Sequence, residues 1–504
     1  MSVDIGTTHC KAGLFVENGG QVQETAIRSR ATVTRRRKTG TFYDPEELWE
    51  TVAGLIRDNL EAAGADGVEP RHVIAVAVAS MAETGLLVDR ETGEPRSPLI
   101  PWFDTSAIPQ AAELARVENP KDRFPKTGIL PSFKSSLAKV LWLREQEGAL
   151  PRGAVWLSAA SYIAYRLTGE MWIDYSLAGR TYAFRIDLKT WDEDYLGRFD
   201  LPVDLFPQPA PAVAPVGTTR GLPEAGLPAG IPAFIAGHDH VCAAFAAGAI
   251  EPGTVFDSMG TAETLVGAFG EGPLGEKELS SGLAYGVHVI PGKYYWMGGL
   301  SASGGSLEWL RALLGATPLS YESVEALLSD LPERPGDLLY FPYLAGSGSP
   351  HADPLVRGGF IGLDARHGKA ALLKAVLEGT AYEMEFIRRT AESAKDLKIS
   401  SLVVSGGGTR LRQWMQIKAD ISGCRLETLE TSEATLLGAA LVAGLGTGLF
   451  PSAQAALQAR PISLASRYLP DEERHREYKA IFEEGYMKLQ APLRAYGRKR
   501  NIQE

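Results

Sequence analysis

Cysteine is scarce. Cys10, Cys242 and Cys424 are the three in 504 residues. They are too few and too scattered for a disulfide framework or a zinc cluster, so a reducing compartment is expected. Long apolar runs are missing too. No segment approaches the roughly 18 consecutive apolar residues of a membrane span, and the first residues lack the basic, apolar and cleavage regions of a secretory leader. A cytoplasmic protein with no membrane partner is the expectation. The opening MSVDIGTT places Asp4 very early for a strand, which commonly runs to about five or six residues, so a native start upstream of Met1 stays open. A basic surplus is absent as well. The formal charge is -10, which argues against a nucleic-acid partner, and Arg35-Arg36-Arg37-Lys38 reads as a solvated loop.

What is present points to a packed protein of more than one domain. A single hydrophobic core stops growing near about 250–300 residues, so 504 residues imply two large domains. With 45% hydrophobic and 22% charged residues the composition is that of an ordinary globular chain. Glycine is abundant, and its clusters follow short β-type runs: VDIGTTHCKAGLF, FDSMGTAETLVGAF and LVVSGGGTRL. Helical periodicity covers Pro45 to Ala63, Ser135 to Glu147 and Lys369 to Arg389. Strands alternating with helices make an α/β class. Asp4-Ile5-Gly6-Thr7-Thr8 and Asp257-Ser258-Met259-Gly260-Thr261 each read as a β-hairpin with a Gly-Thr turn, one in each half, which suggests a duplication with its boundary near Gly248 to Pro252. The last fifty or so residues read as a strand or loop followed by a charged closing helix.

A Gly-Thr turn has a chemical use. Glycine lets backbone N–H groups approach an anion, and the hydroxyls add donors, so two such turns facing each other could clamp the phosphates of one nucleotide. Other phosphate loops fail: the Walker-like string ending at Gly368-Lys369-Ala370 has the wrong glycine spacing, and GGGTRL and GLGTGL miss the last glycine of the dinucleotide fingerprint. The stretch AGHDHVCAAFAAG, Ala236 to Gly248, sets one aspartate between two histidines ahead of a small-residue helix. From residues alone Asp239 is either a base or an N-cap, and His238 with His240 could bind zinc, although the other six histidines supply no paired spacing.

Taken together these segments resemble the FGGY family of carbohydrate kinases over nearly the whole chain. DIGTTHCKAGLF is similar to the family's first phosphate loop and SMGTAETL to its second. The run SGGGTRLRQWMQIKADISGCRLETLETSEATLLGAALVAGLGTG resembles its adenosine-binding signature, and HADPLVRGGFIGL and AVLEGTAYEM resemble further segments. The resemblance implies an α/β fold of two actin-like (ribonuclease H-like) domains with a central cleft. Residues 1–249 would bind sugar and carry the first phosphate loop, and residues 250–504 would bind ATP. It implies ATP and Mg²⁺ as cofactors, with a homodimer as a common assembly.

Carried over residue by residue, Asp239 is the implied catalytic base and Asp4 the carboxylate that organises Mg²⁺. Gly6, Thr7, Thr8, Lys11, Gly260, Thr261, Gly406, Gly407 and Gly408 are the implied ATP contacts, although Lys11 reads equally as a solvent-facing lysine. Met81, Glu83, Trp102 and Asp104 are the implied sugar contacts. Glu83 could instead be a surface turn residue and Trp102 plain core, while His240 either lines the sugar pocket or packs locally. Two departures matter. Glycerol kinases carry Arg-Glu where this chain has Ala82-Glu83, which disfavours glycerol, and the family's aspartate-arginine pair is Asp104-Thr105 here. The pattern implies phosphorylation of a terminal hydroxyl of a ketopentose such as xylulose. Alternatives are fuculose, rhamnulose, ribulose, erythritol, gluconate or glycerol, a non-catalytic nucleotide-binding protein of this fold, or a zinc hydrolase.

Overall fold

The computed structural model describes residues 1–37, 40–65, 67–430, 433–460 and 464–500. The first domain grows from the hairpin of β1 (Ser2–Ile5) and β2 (His9–Asn18), which pair antiparallel from Ser2↔Gly13 to Ile5↔Cys10 around Gly6–Thr8. Strand β3 (Gln21–Ala31) extends the hairpin. Helix α1 (Pro45–Gly64) starts where Asp44 accepts from the backbone N–H groups of Glu46 and Glu47 with Pro45 behind it, a strong N-terminal signal. Its apolar face, Leu48, Val52, Leu55 and Ile56, covers β2 and β3. The chain returns as β4 (Val76–Ser80), parallel to β1. After a long insertion β5 (Thr218–Leu222) and β6 (Leu227–His238) complete the sheet, in the order β5-β6-β4-β1-β2-β3. Helix α2 (Asp239–Ala246) begins directly at the end of β6.

The second sheet repeats this plan. Strands β7 (Thr254–Met259) and β8 (Glu263–Gly270) form the hairpin. Then come β9 (Ala284–Val287), β10 (Lys293–Leu300), α3 (Gly304–Leu313) and the long α4 (Lys369–Lys395). The chain continues through β11 (Ser401–Ser405), α5 (Arg412–Ser422), β12 (Arg425–Leu429), α6 (Ala434–Gly446) and β13 (Leu464–Tyr468). The order β9-β10-β8-β7-β11-β12-β13 keeps a three-strand antiparallel unit flanked by two parallel strands, as in the first sheet. The duplication suggested by the two Gly-Thr turns therefore exists as topology.

Two sequence expectations change. Thr34–Arg37 is an exposed strand paired with Gly40–Tyr43, so Arg35 to Arg37 lie on a hairpin arm and not in a loop; Lys38 lies outside the described residues. Helix α4 runs to Lys395, a turn and a half beyond Arg389, and ends where Asp396 adopts φ +49°.

The small-residue helices explain how the halves join. Helix α6 follows a second-sheet strand yet packs on β1, β4 and β6, whereas α2 follows a first-sheet strand and reaches β7 and β8. They cross against each other so closely that a Cβ on Gly438 would lie 1.9 Å from the Cys242 carbonyl oxygen. That contact accounts for the runs DHVCAAFA and ATLLGAALVAG, since bulkier side chains would hold the backbones apart.

The two hairpin aspartates differ in position, since Asp4 stands two residues before its turn glycine and Asp257 three. Asp257 is wholly buried with Lys418 of α5 at 2.5 Å, and the same ammonium meets Glu263 at 2.8 Å. Burial first and Glu263 second push Asp257 up to about 7, with Lys418 opposing. Removing one partner of such a buried pair strands the other charge, at about 3–5 kcal/mol. Lys418→Met is therefore expected to lose stability on that scale in a chemical-denaturation midpoint measurement; an unchanged midpoint would refute the triad as a structural centre.

Candidate active site

The two Gly-Thr turns sit at the carboxyl ends of their strands, where open α/β sheets leave a crevice for ligands. In the first, Gly6 N–H donates to His9 O at 3.1 Å, and the Thr32 hydroxyl donates to Gly6 O at 2.9 Å. Thr7 is tied to the expected sugar side. Its hydroxyl accepts from the Trp102 indole at 2.9 Å and approaches the Met81 sulfur at 3.6 Å, and its carbonyl accepts from Tyr43 at 3.1 Å. Met81 is buried and Trp102 partly exposed, so both brace the first turn from behind. Thr8 is exposed. In the second turn, Gly260 and Thr261 are exposed, and their carbonyls accept from Gly304 at 3.1 Å and Ser303 at 3.0 Å, which seats the turn on the start of α3. Gly406, at φ +116°, leaves no room for a Cβ, which would lie 2.2 Å from Met259 O, and a Cβ on Gly408 would meet the Met259 side chain. Gly406 and Gly408 thus lie against Met259, the residue before the second turn, while Gly407 is exposed.

Asp239 occupies the junction of β6 and α2. Gly237, at φ +113°, interrupts the β6–β4 register just before it, and the His238 N–H is held by the Ser176 hydroxyl at 2.9 Å. One carboxylate oxygen, Oδ1, accepts from the His240 N–H at 2.7 Å and lies 3.2 Å from His238 Nε2. Burial pushes Asp239 up to about 7; the His240 N–H opposes this and Glu83 adds to it. Asp4 is shifted well upward, chiefly by burial and then by Asp239, with Lys11 opposing, and its Oδ1 has no hydrogen-bond partner among the described residues. Burial, with neighbouring cationic groups, pushes His238 well down and His240 down to about 4, so both imidazoles are neutral at ordinary pH. The two rings meet edge to face at 5.6 Å. Among the described residues no group of three or more His, Cys, Asp or Glu is arranged to hold a zinc-type metal, so the zinc-hydrolase alternative has no ligand set. Lys11 does not face solvent freely: it pairs with Glu433, at the entrance of α6, at 2.7 Å.

On the side where sugar contacts were expected, Glu83 holds φ +61°, an uncommon backbone for a non-glycine residue, and Lys139 caps its carbonyl. Its carboxylate receives Arg180 Nε at 2.9 Å and Nη2 at 2.5 Å, both on Oε1. Burial alone would raise Glu83; Arg180, Lys134 and Lys139 outweigh it and hold the carboxyl below its usual range. Burial drives Lys139 down to about 7. Asp104 is buried and already accepts from Thr41 N–H at 2.6 Å and Ser106 N–H at 2.9 Å, so both of its oxygens are engaged by backbone. Sequence reasoning missed Arg180, Lys139 and Glu433. The signal available for Arg180 was indirect: an acidic residue expected in a pocket without the arginine beside it.

The first turn, the buried carboxylates Asp4 and Asp239 and the Glu83–Arg180 pair thus belong to one cluster, through the influence of Asp239 on Asp4 and of Glu83 on Asp239. Two family models cover most of the chain, the N-terminal domain of the FGGY family of carbohydrate kinases at residues 1–246 and the C-terminal domain of that family at residues 257–447. A xylulose kinase of Bacillus subtilis is 27% identical, with 96% of this chain and 95% of that protein aligned. A glycerol kinase of Citrifermentans bemidjiense is 30% identical over 94% of this chain and 95% of that one. A solved structure, Plasmodium falciparum glycerol kinase with ADP, shares the fold at a TM-score of 0.84 and 20% identity, covering 97% of this chain and 98% of its own. With both halves matched in order, the chain belongs to the FGGY family of carbohydrate kinases and is a carbohydrate kinase.

Proposed function

We propose that this kinase transfers the γ-phosphoryl group of ATP to a terminal hydroxyl of a ketopentose such as xylulose, with Asp239 as the base. The observation that carries this reading is the buried pair of Asp4 and Asp239, each raised by burial, with one Asp4 oxygen unpartnered. Two such carboxylates suit a hard cation with oxygen ligands, and Mg²⁺ held by Asp4, through its water shell, would neutralise charge developing on the phosphates. Phosphoryl transfer needs positioning and charge neutralisation more than covalent help. Asp239, ionised, accepts the proton of the attacking hydroxyl, while His238 and the His240 N–H keep its Oδ1 oriented. The turns at Gly6–Thr8 and Gly260–Thr261 would bind phosphates and Gly406–Gly408 the adenosine, with the domains dividing at 249/250. Met81, Glu83, Trp102, Asp104 and His240 would form the sugar side.

A second substrate reading is glycerol. Its sequence objection was the arginine missing at position 82, and Arg180 supplies a guanidinium to Glu83 from elsewhere in the chain. ADP release measured with D-xylulose, L-ribulose, L-fuculose, erythritol, gluconate and glycerol separates the readings. The ketopentoses are expected to give the highest kcat/KM, a glycerol maximum would replace them, and no sugar-dependent release would leave a nucleotide-binding protein only.

Asp239→Asn is expected to lower kcat by about 10²–10⁴-fold while ATP affinity stays near wild type; wild-type turnover would end the assignment. The same residue makes a pH prediction for metal-free protein. Its folded value is raised from 3.8 to about 7. The folded state therefore holds the proton more tightly than the unfolded chain, and ionisation erodes stability as pH rises through that window. The thermal midpoint of Asp239→Asn relative to wild type should climb between pH 4 and pH 7, and a flat difference would show that Asp239 ionises without penalty.

A further inference from the structure

Ser303 is the residue before α3, the place where a serine normally caps its own helix by accepting from an N–H of the first turn. It does not do so here. Its hydroxyl donates instead to Glu263 Oε2 at 2.6 Å, across 40 positions of chain, and the residue is wholly buried. The other oxygen of that carboxylate, Oε1, receives Lys418 at 2.8 Å, and the same ammonium reaches Asp257 Oδ2 at 2.5 Å. A series of buried, charge-assisted contacts thus runs from α5 through the start of β8 to the start of α3.

The backbone beside Ser303 is spent on the second Gly-Thr turn. The Ser303 and Gly305 N–H groups donate to Thr261 O, each at 3.0 Å, and the Gly304 N–H donates to Gly260 O at 3.1 Å. Three amides at the head of α3 therefore hold two consecutive carbonyls. The approach is close: a Cβ on Gly304 would lie 2.4 Å from Gly260 O. The turn is otherwise open, since Gly260, Thr261 and Ala262 are all exposed. An exposed tip keeps one arrangement when its root is fixed, and the root here is Glu263, two residues after Thr261. Ser303 joins both holds, with its hydroxyl on Glu263 and its N–H on Thr261 O, so that Thr261, Ala262, Glu263 and Ser303 close a ring of contacts.

We propose that Ser303 is a positioning residue for the nucleotide, anchored by Glu263 and Lys418: the buried charges fix Ser303, and Ser303 holds the turn at Gly260–Thr261 in the arrangement that receives the phosphates of ATP. This rests on the reading of that turn as a phosphate loop and deepens it, because the triad at Lys418 then serves binding as well as stability. Ser303 acts through the turn and not on the phosphates. Its effect passes through the fraction of molecules whose turn is already set, and apparent affinity falls in proportion to that fraction.

The test titrates ADP into wild type, Ser303→Ala, Ser303→Cys and Gly260→Ala. It also measures KM for ATP, the thermal midpoint and KM for whichever sugar of the panel wild type phosphorylates fastest. In Ser303→Ala the ADP dissociation constant and the KM for ATP should rise about tenfold, the scale of one lost hydrogen bond to a charged group, while the sugar KM stays within about twofold. Ser303→Cys, with a weaker donor of similar shape, should fall between wild type and Ser303→Ala. Wild-type ADP binding in Ser303→Ala would overturn the inference, and so would equal rises in the ADP and sugar constants, which mark a general loosening. If Ser303→Ala does not fold, Ser303→Cys decides by the same criteria. Gly260→Ala judges the turn by itself, because a Cβ there has room at 3.4 Å from Ala262 O and its methyl on the exposed tip would obstruct a phosphate. Unchanged ADP affinity in Gly260→Ala would remove the phosphate reading of the turn, and the inference with it. Weakened binding in Gly260→Ala beside wild-type binding in Ser303→Ala would keep that reading and overturn the role of Ser303 alone.

Discussion

Two carboxylates buried near one another, Asp4 and Asp239, set the terms for the rest of this molecule. Asp4 and Asp239 come from the ends of strands separated only by β4, and after burial Asp239 is the largest cause that raises Asp4. A fold selected for stability alone would have neutralised such a pair, as it did at the equivalent hairpin of the second domain, where Lys418 lies between Asp257 and Glu263. At Asp4 the nearest lysine, Lys11, is turned toward Glu433 instead. A buried carboxylate whose neighbouring lysine is paired elsewhere is the kind of local inconsistency that clusters at functional sites.

The duplicated topology explains how one architecture holds both solutions. Each half places a Gly-Thr turn at the tip of an antiparallel hairpin beside two parallel strands. The exchanged helices α2 and α6 bind the halves along small residues. Because α2 begins at Asp239 and α6 begins just after Glu433, the helix pair that joins the two sheets also carries Asp239 and the partner of Lys11. Relative motion of the domains would necessarily reach the chemistry, as it does in enzymes that close around their substrates.

Particular residues mark the limit of sequence reasoning. The hairpin turns, the helix at Pro45 and the small-residue helix after Asp239 were legible because each depends on a few adjacent residues: a glycine with a hydroxyl, an Asp-Pro cap, a run of alanines. The basic stretch at Arg35 was misread as a loop because a charged hairpin arm has no buried face to betray its period. Arg180 was invisible because its partner Glu83 lies 97 positions away. Asp104 looked like a free carboxylate in sequence and proves to be held by two backbone N–H groups.

By itself the sequence determined the α/β class, the two Gly-Thr turns, the family and the aspartate at the head of the small-residue helix. All of these are written in local pattern, through glycine's backbone freedom, the alternation of strand and helix, and side-chain size. Only the tertiary structure decided which charges meet. It set Arg180 on Glu83, Glu433 on Lys11 and Lys418 between Asp257 and Glu263, and it brought Asp239 near enough to Asp4 to raise it. Charge pairing in a buried site depends on distance and desolvation between segments remote in the chain, and neither quantity exists until the sheets have packed.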